Sequence, residues 1–169
     1  MTISLVLTVI ADDKPGIVEN ISAAISAHQG NWTESRMASL AGKFAGIIQV
    51  KLDDSACEGL IADLAALAAQ GIEIRAERGS SDNEGTHHLN MNLVSNDRAG
   101  IVREVSQVLA HLGVNVLELT TECFQAEMSA VPMFRADAEL QVPDHLDQDD
   151  IATALEQLSN ELIVELSPA

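Results

Sequence analysis

Ala11-Asp12-Asp13-Lys14-Pro15-Gly16-Ile17-Val18 is a short segment that returns 84 residues later as Ser95-Asn96-Asp97-Arg98-Ala99-Gly100-Ile101-Val102. Each copy follows an apolar, alternating run and precedes a run with helical spacing, so each predicts a turn from a strand into a helix. Glycine allows a close backbone approach, proline suits the first helical position, and the free amides at a helix start attract anions. Two interpretations stay open for each copy: a plain helix start, or a turn that binds a carboxylate.

Both halves of the chain show the order strand, helix, strand, strand, helix, strand, which is the ferredoxin-like split βαβ arrangement. The sequence therefore predicts an α+β protein with two tandem βαββαβ domains. Each domain would be an antiparallel four-stranded sheet with two helices on one face. We expect the first domain at residues 1–79, a polar, glycine-flanked linker at 80–85 and the second domain at 86–169.

The first half carries the clearer boundary signals. Alternating apolar residues predict strands at 2–11, 32–39, 44–52 and 72–77. The helix between the first two strands should run from about Pro15 to Gln29, and the other should follow a capping signal at Asp53 and end at Gln70.

The second half is six residues longer in its hairpin. The interval from Asn31 to Leu52 is 21 positions, whereas the equivalent interval from Asn115 to Val142 is 27. The extra residues fall at 123–132. They are interpreted either as a loop that covers a site or contacts a partner, or as a tolerated surface insertion.

Charge limits the classes of partner. The chain has 26 Asp+Glu against 9 Lys+Arg, a net charge of −17, and no basic run. Nucleic-acid affinity rests largely on Lys and Arg that neutralise phosphates, so we expect no direct nucleic-acid binding. One Trp, three Phe and no Tyr also argue against a base-stacking surface.

Signals for export or membrane insertion are missing from the sequence as read. Residues 1–10 lack a cationic start and a cleavage site, and no apolar run approaches about 18 residues. Cys57 and Cys123 are too few and too scattered for a disulfide framework. We therefore expect a cytoplasmic protein with no membrane contact.

Catalytic and metal-binding patterns are also missing. The sequence has no Walker phosphate loop, no G-x-S-x-G and no H-E-x-x-H. His87 and His88 are adjacent in a predicted strand, so they should point to opposite faces and make poor joint ligands. His28 and His111 are expected to interact with the dipoles of the helices whose ends they occupy. We expect no catalytic residues, no metal site and no cofactor.

A ligand-binding interpretation fits the repeated segment better. Backbone amides at Gly16 or Gly100 could hold a carboxylate. Asn31 and Asn115, also 84 residues apart, could contact an amino group or a second carboxylate oxygen. Either asparagine could instead be a plain helix C-cap, because Asn tolerates the left-handed conformation found there.

These features together resemble the ACT-domain family of small ligand-sensing modules. The resemblance rests on the D-[KR]-x-G-[IL]-[VL] turn in both halves and on a helix that ends at Gly30-Asn31 or Gly113-Val114-Asn115. It implies amino-acid binding around the two turns and the two asparagines. The residues implied are Asp13, Lys14, Pro15, Gly16, Ile17 and Asn31, and Asp97, Arg98, Ala99, Gly100, Ile101 and Asn115.

A narrower resemblance is to the glycine cleavage system transcriptional repressor family. It rests on the segment 31–38, on Gly42-Lys43-Phe44-Ala45-Gly46 and on Pro132-Met133-Phe134. It implies a negative regulator of the glycine cleavage operon that contacts a LysR-type transcriptional activator and does not bind DNA itself. Glycine would be the effector, and a homodimer is compatible with the family.

Three functions follow from the sequence. The first is an amino-acid-responsive regulatory protein that acts by protein–protein contact. The second is a non-sensing ACT interaction or dimerisation module, in which the turns serve packing alone. The third, an enzyme, lacks any catalytic constellation to support it.

Overall fold

Each half of the chain forms one antiparallel sheet in the computed structural model, which describes residues 1–80, 85–128 and 130–169. The chain divides into two units, Met1–Asp82 and Asn83–Ala169, referred to below as unit 1 and unit 2. Most of the predicted linker, residues 81–84, lies outside the described residues.

Unit 1 has the predicted βαββαβ order, and its strands lie in the sheet order β2-β3-β1-β4. The elements are β1 (Thr2–Asp12), α1 (Ile17–Ala27), β2 (Asn31–Leu40), β3 (Lys43–Asp53), α2 (Cys57–Ala66) and β4 (Ile72–Arg78).

Unit 2 repeats this topology with the sheet order β6-β7-β5-β8. The elements are β5 (Thr86–Asn96), α3 (Ile101–His111), β6 (Asn115–Gln125), β7 (Pro132–Pro143), α4 (Gln148–Glu156) and β8 (Ile163–Pro168). The predicted α+β class and the two tandem ferredoxin-like repeats are confirmed.

One apolar cluster fills each unit between its sheet and its two helices. In β1 the side chains alternate between buried and more exposed positions, as the period of a half-buried strand requires. In α1 the residues Ile17, Ile21 and Ile25 share the buried face. Both helices therefore cover one face of the sheet and leave the opposite face, termed the open face, to solvent.

The first helix of unit 1 starts later than the sequence predicts. Gly16 adopts φ 94° and Gly100 adopts φ 85°, both in the left-handed region. Each glycine is the residue before the helix, so α1 begins at Ile17 and Pro15 lies outside it. The predicted start at Pro15 is wrong because the glycine, and not the proline, sets the direction of the turn.

Acidic caps precede the second helices, as the sequence indicates, although in unit 1 the cap belongs to a 3-10 turn, Asp54–Ala56, that leads into α2. Asp53 accepts hydrogen bonds from the backbone amide (3.0 Å) and the hydroxyl (2.6 Å) of Ser55. These bonds and the N-terminal ammonium lower the pKa of Asp53 to about 2. In unit 2, Asp147 and Asp150 form a reciprocal capping box. The helix predicted to end at Gln70 is shorter, because α2 changes at Ala66 into a 3-10 turn.

The central hairpins differ in length. In unit 1 a two-residue turn, Ala41-Gly42, joins β2 to β3, and both residues have positive φ. In unit 2 the strands continue to the pair Gln125–Pro132, and residues 126–128, 130 and 131 lie in the loop. The predicted loop at 123–132 is therefore too long, since residues 123–125 and 132 belong to strands. Ser129 lies outside the described residues.

One cross-strand pair differs in side-chain size between the two hairpins. Met37 lies opposite Gly46 in unit 1, and the equivalent pair in unit 2 is Thr121 opposite Ala136. A Cβ atom built at Gly46 would lie 2.6 Å from the Met37 Cγ atom and 2.6 Å from the Arg36 carbonyl oxygen. Unit 1 thus pairs a large side chain with a glycine, which has no side chain, whereas unit 2 pairs two small side chains.

Candidate functional site

The β1–α1 turn of unit 1 presents the start of a helix to solvent. The Gly16 carbonyl accepts the first helical bond, from the Asn20 amide at 2.9 Å. No side chain of the described residues caps the helix, so its first amides keep the free donors typical of a helix N-terminus. A Cβ atom at Gly16 would meet nothing within 4 Å. The turn is therefore open to a small anion.

Asp13 anchors this turn to the hairpin of unit 1. Its amide donates to the Gly42 carbonyl at 3.0 Å, and its carboxylate accepts a hydrogen bond from the Ser39 hydroxyl at 2.7 Å. Both bonds hold the turn against the β2–β3 connection. Asp13 thus stabilises the turn through contacts with residues of the hairpin.

Lys14 bonds to the segment that precedes β4. Its ammonium donates to the Gln70 carbonyl at 2.5 Å, and the Asn20 side-chain amide donates to the Gln70 side-chain oxygen at 3.2 Å. The neighbouring Asp12 bonds to Lys43, which lowers the pKa of the Asp12 carboxyl. Asp12 is therefore paired with a cation, whereas the positive charge of Lys14 lies beside a neutral carbonyl.

The turn of unit 2 reproduces the backbone but changes the chemistry. Gly100 again precedes the helix, and the Asp97 amide donates to the Pro132 carbonyl at 2.9 Å. Cys123 takes the place of the serine hydroxyl beside the aspartate. Cys123 is exposed, but partial loss of solvation, followed by the charge and hydrogen bond of Asp97, raises the pKa of its thiol.

The charged side chains around the second turn also differ from those around the first. Arg98 donates to the Glu104 carboxylate at 2.5 Å, and this bond lowers the pKa of Glu104. The Asn96 side chain donates to the Glu161 carboxylate at 2.8 Å. Neutral Asn20 occupies the position equivalent to Glu104 in unit 1. In the other direction, Asn96 and Arg103 of unit 2 stand where unit 1 has Asp12 and Glu19. The two turns therefore differ in the arrangement of their charges, and these exchanges do not make the second turn more acidic than the first.

The two asparagines lie away from the turns of their own units. Asn31 pairs with Lys51, whereas the residue before the first turn, Asp12, pairs with Lys43. Eight residues of β3 separate these pairs, about 26 Å at about 3.3 Å per residue. Asn115 occupies the equivalent place in unit 2, 3.4 Å from the Gln141 side-chain oxygen. One small amino acid cannot touch both ends of a unit.

Other polar side chains give little support for catalysis. The ring of His28 lies 2.7 Å from the Asp63 carboxylate, and that of His88 lies 3.0 Å from Glu139. Across the described residues, no group of three or more His, Cys, Asp or Glu side chains could hold a metal ion. In the same part of the chain, each helix is too short or too polar to cross a membrane.

Sequence reasoning missed an apolar groove in unit 2, between α3 and the edge strand β6. Its walls include Val102 and Val105 from the helix and Val116 and Leu119 from the strand. A position-by-position comparison of the halves at the 84-residue offset would have indicated it. Val116 aligns with Trp32 of unit 1, a much larger side chain.

Comparisons with known proteins agree with the repeated fold. Residues 4–77 match the ACT domain family. The structure of an unknown protein from Galdieria sulphuraria is similar to the whole chain, with 30% identity and a TM-score of 0.87. The similarity covers 100% of this chain and 99% of that one.

A second solved structure, of a candidate glycine cleavage system transcriptional repressor, has a TM-score of 0.72 at 17% identity. It covers 100% of this chain and 99% of its own, and at this identity it supports the fold alone. No curated protein matches the chain. Residues 4–77 match the ACT domain family, and the second repeat has the same topology.

Proposed function

We propose that this protein is an amino-acid-responsive regulator that acts through contact with another protein. The observation that carries the proposal is the duplicated turn, in which a left-handed glycine opens a helix N-terminus to solvent at two equivalent places. A helix N-terminus favours a carboxylate through its free amides and its dipole. The effector would be held at these amides, with no cofactor and no catalytic step.

The first turn is the better site for the effector. At the second turn the Arg98 guanidinium is paired with the Glu104 carboxylate, whereas Lys14 at the first turn bonds to a neutral carbonyl. Lys14 is engaged by the Gln70 carbonyl, so its ammonium contributes to the local potential and not to a direct bond. A free amino acid would bring its carboxylate to the amides.

The narrower proposal is negative regulation of glycine cleavage operon transcription, with glycine as the effector. Its support is the resemblance of the hairpin segment 31–38 and of Pro132-Met133-Phe134 to that repressor family. The net charge of −17 favours a protein partner with a basic surface, such as a LysR-type activator, over direct contact with DNA. The protein would act in the cytoplasm.

A non-sensing interaction module is the competing function, and one observation favours it. The polar side chains of the first turn already bond within the unit, since Asp13 accepts from Ser39 and Lys14 donates to Gln70. The turns could then serve packing alone, and edge or face contacts of the sheets would form a homodimer.

Thermal unfolding with each common amino acid distinguishes these functions. An effector at about 100 times its Kd should stabilise the fold by about 2.7 kcal/mol and raise the Tm. Gly16→Val should abolish the rise, while Gly100→Val should leave it nearly intact. Gly113→Val is the matched control, because Gly113 also has positive φ (71°) but lies outside both turns. If no amino acid raises the Tm of the wild type, the sensing function is refuted.

A further inference from the structure

Strand β6 is an edge of the unit 2 sheet, whose order is β6-β7-β5-β8. Ten of its eleven residues are exposed, and Phe124 is half-buried. A bulge at Leu117 interrupts the pairing with β7, so the regular part of the edge begins at Glu118. No strand of the described residues pairs with the outer side of β6. Its outward backbone groups can therefore accept an added strand.

The helix-facing side of this edge is apolar. Val116 and Leu119 are 37% and 48% exposed, and Val102 on α3 is 44% exposed. With Val105 they line the groove between the helix and the strand. A strand added to β6 would place every second side chain over this groove.

The groove arises from smaller side chains than those in unit 1. Trp32 and Met37 of β2 pack against the core of unit 1. The equivalent residues of β6 are the smaller Val116 and Thr121, which line the groove together with core residues such as Leu93. Unit 1 thus fills with its own side chains the space that unit 2 leaves open.

The open side of the same edge is acidic. Glu118 and Glu122 of β6 share this side with Asp137 and Glu139 of β7, and Arg135 is the one cation among these five. The side chains of an added strand that do not face the groove would lie beside these carboxylates. Residues 85–169 as a whole carry 14 Asp+Glu against three Lys+Arg. Lysine or arginine is the favoured chemistry there.

We infer that β6 binds an extended segment of a partner protein whose apolar residues alternate with lysine or arginine. The segment pairs with the backbone of β6, its apolar residues enter the groove beside α3, and its cations face the carboxylates of the open side. The inference rests on the proposed function in one respect, since a regulator that acts by contact needs a partner-binding surface. A second copy of unit 2 is a poor occupant, because it would bring its own acidic side against this one.

A matched edge in unit 1 sharpens the inference. On the open side of β2, Glu34 is accompanied by Arg36 on the same strand and Lys51 on β3. This side is not acidic, and Trp32 packs over the core at the place of the groove. The same peptide should therefore distinguish β6 from β2.

The test is fluorescence anisotropy with a labelled seven-residue peptide that alternates lysine with valine or leucine, on the full chain. A scrambled peptide of the same composition and an alternating peptide with glutamate in place of lysine are the controls. We expect binding of the first peptide alone. Val116→Trp and the double variant T121M/A136G copy the residues of unit 1 into the groove, and each should weaken binding about tenfold or more.

Charge reversal gives an independent readout. Glu118→Lys with Glu122→Lys should weaken binding and reduce its salt dependence, while the matched unit 1 variant Glu34→Lys should not. Equal binding of the scrambled peptide, or unchanged affinity in the groove variants, overturns the inference. So does a wild-type dimer that V116W converts to a monomer, because β6 would then pair with a second copy. Effector-induced shifts in Tm are measured in a separate experiment. The proposal of an amino-acid site and the proposal of a partner-binding edge can therefore be refuted independently.

Discussion

Replacing Gly46 with alanine should destabilise unit 1, although alanine is normally the better strand residue. Removing a glycine from a strand gains about 0.5–1 kcal/mol. Here the new Cβ would lie 2.6 Å from the Met37 Cγ atom and from the Arg36 carbonyl oxygen, far inside normal contact distance. Such overpacking costs about 1–3 kcal/mol. We expect a net loss of about 1–2 kcal/mol in the free energy of unfolding.

The second half of this prediction is a rescue. In unit 2 the equivalent alanine is tolerated opposite Thr121, so Met37→Thr should remove the part of the cost of G46A that comes from the Met37 side chain. The contact with the Arg36 carbonyl oxygen should remain. The coupling energy between the two substitutions should favour the double variant by about 1 kcal/mol. Met37→Thr alone should destabilise, because it removes apolar contact with the core.

Urea unfolding followed by tryptophan fluorescence measures these effects. Trp32 is the single Trp of the chain and packs against the core of unit 1, so its emission reports on that unit. Ala45→Gly, on the exposed neighbouring position of β3, is the control for the alanine–glycine exchange without a clash and should destabilise. Stabilisation by G46A, or strictly additive single and double variants, would refute the reasoning.

Three further outcomes follow from local chemistry. Asp53 has a pKa of about 2 against 3.8, so its contribution to stability is complete above pH 3.8 and is lost as pH falls toward 2. In D53N the fall of the Tm over this range should be smaller than in the wild type, and an equal fall would contradict the assignment. Alkylation of exposed Cys123 should rise with pH at a midpoint above 9.0, and D97N should lower it. If the alkylation midpoint is the same in D97N as in the wild type, Asp97 is not a cause of the raised Cys123 pKa. A Cβ at Gly59 would lie 2.8 Å from the His28 ring, so G59A should stabilise, by about 1 kcal/mol in urea unfolding, only in the His28→Ala background.

The sequence predicted the fold because its strongest signals are local. Alternation along β1 and the helical spacing of Ile17, Ile21 and Ile25 each depend on one element and its buried face. The order of elements then restricted the topology to the ferredoxin-like repeat. Element ends were less accurate where a backbone angle decided them, as at Gly16, whose positive φ delays the helix beyond Pro15.

The sites were less predictable because they depend on pairs of residues far apart in sequence. The register of β3 places Asn31 at the end of the sheet opposite the turn, and this register appears only when Lys43 and Lys51 are matched to their partners. The groove beside β6 depends on the small size of side chains on two strands and on their position relative to one helix. The periodicity of a single strand or helix cannot predict either arrangement, because each arrangement involves several elements.

The Met37–Gly46 pair and its counterpart Thr121–Ala136 also constrain how sister repeats can diverge. One pair can change into the other by two routes, through methionine opposite alanine or through threonine opposite glycine. The first intermediate carries a collision in the sheet, while the second carries only a small void. The route through threonine opposite glycine is therefore favoured. The side chain on the edge strand has to become small before alanine can replace the glycine opposite it.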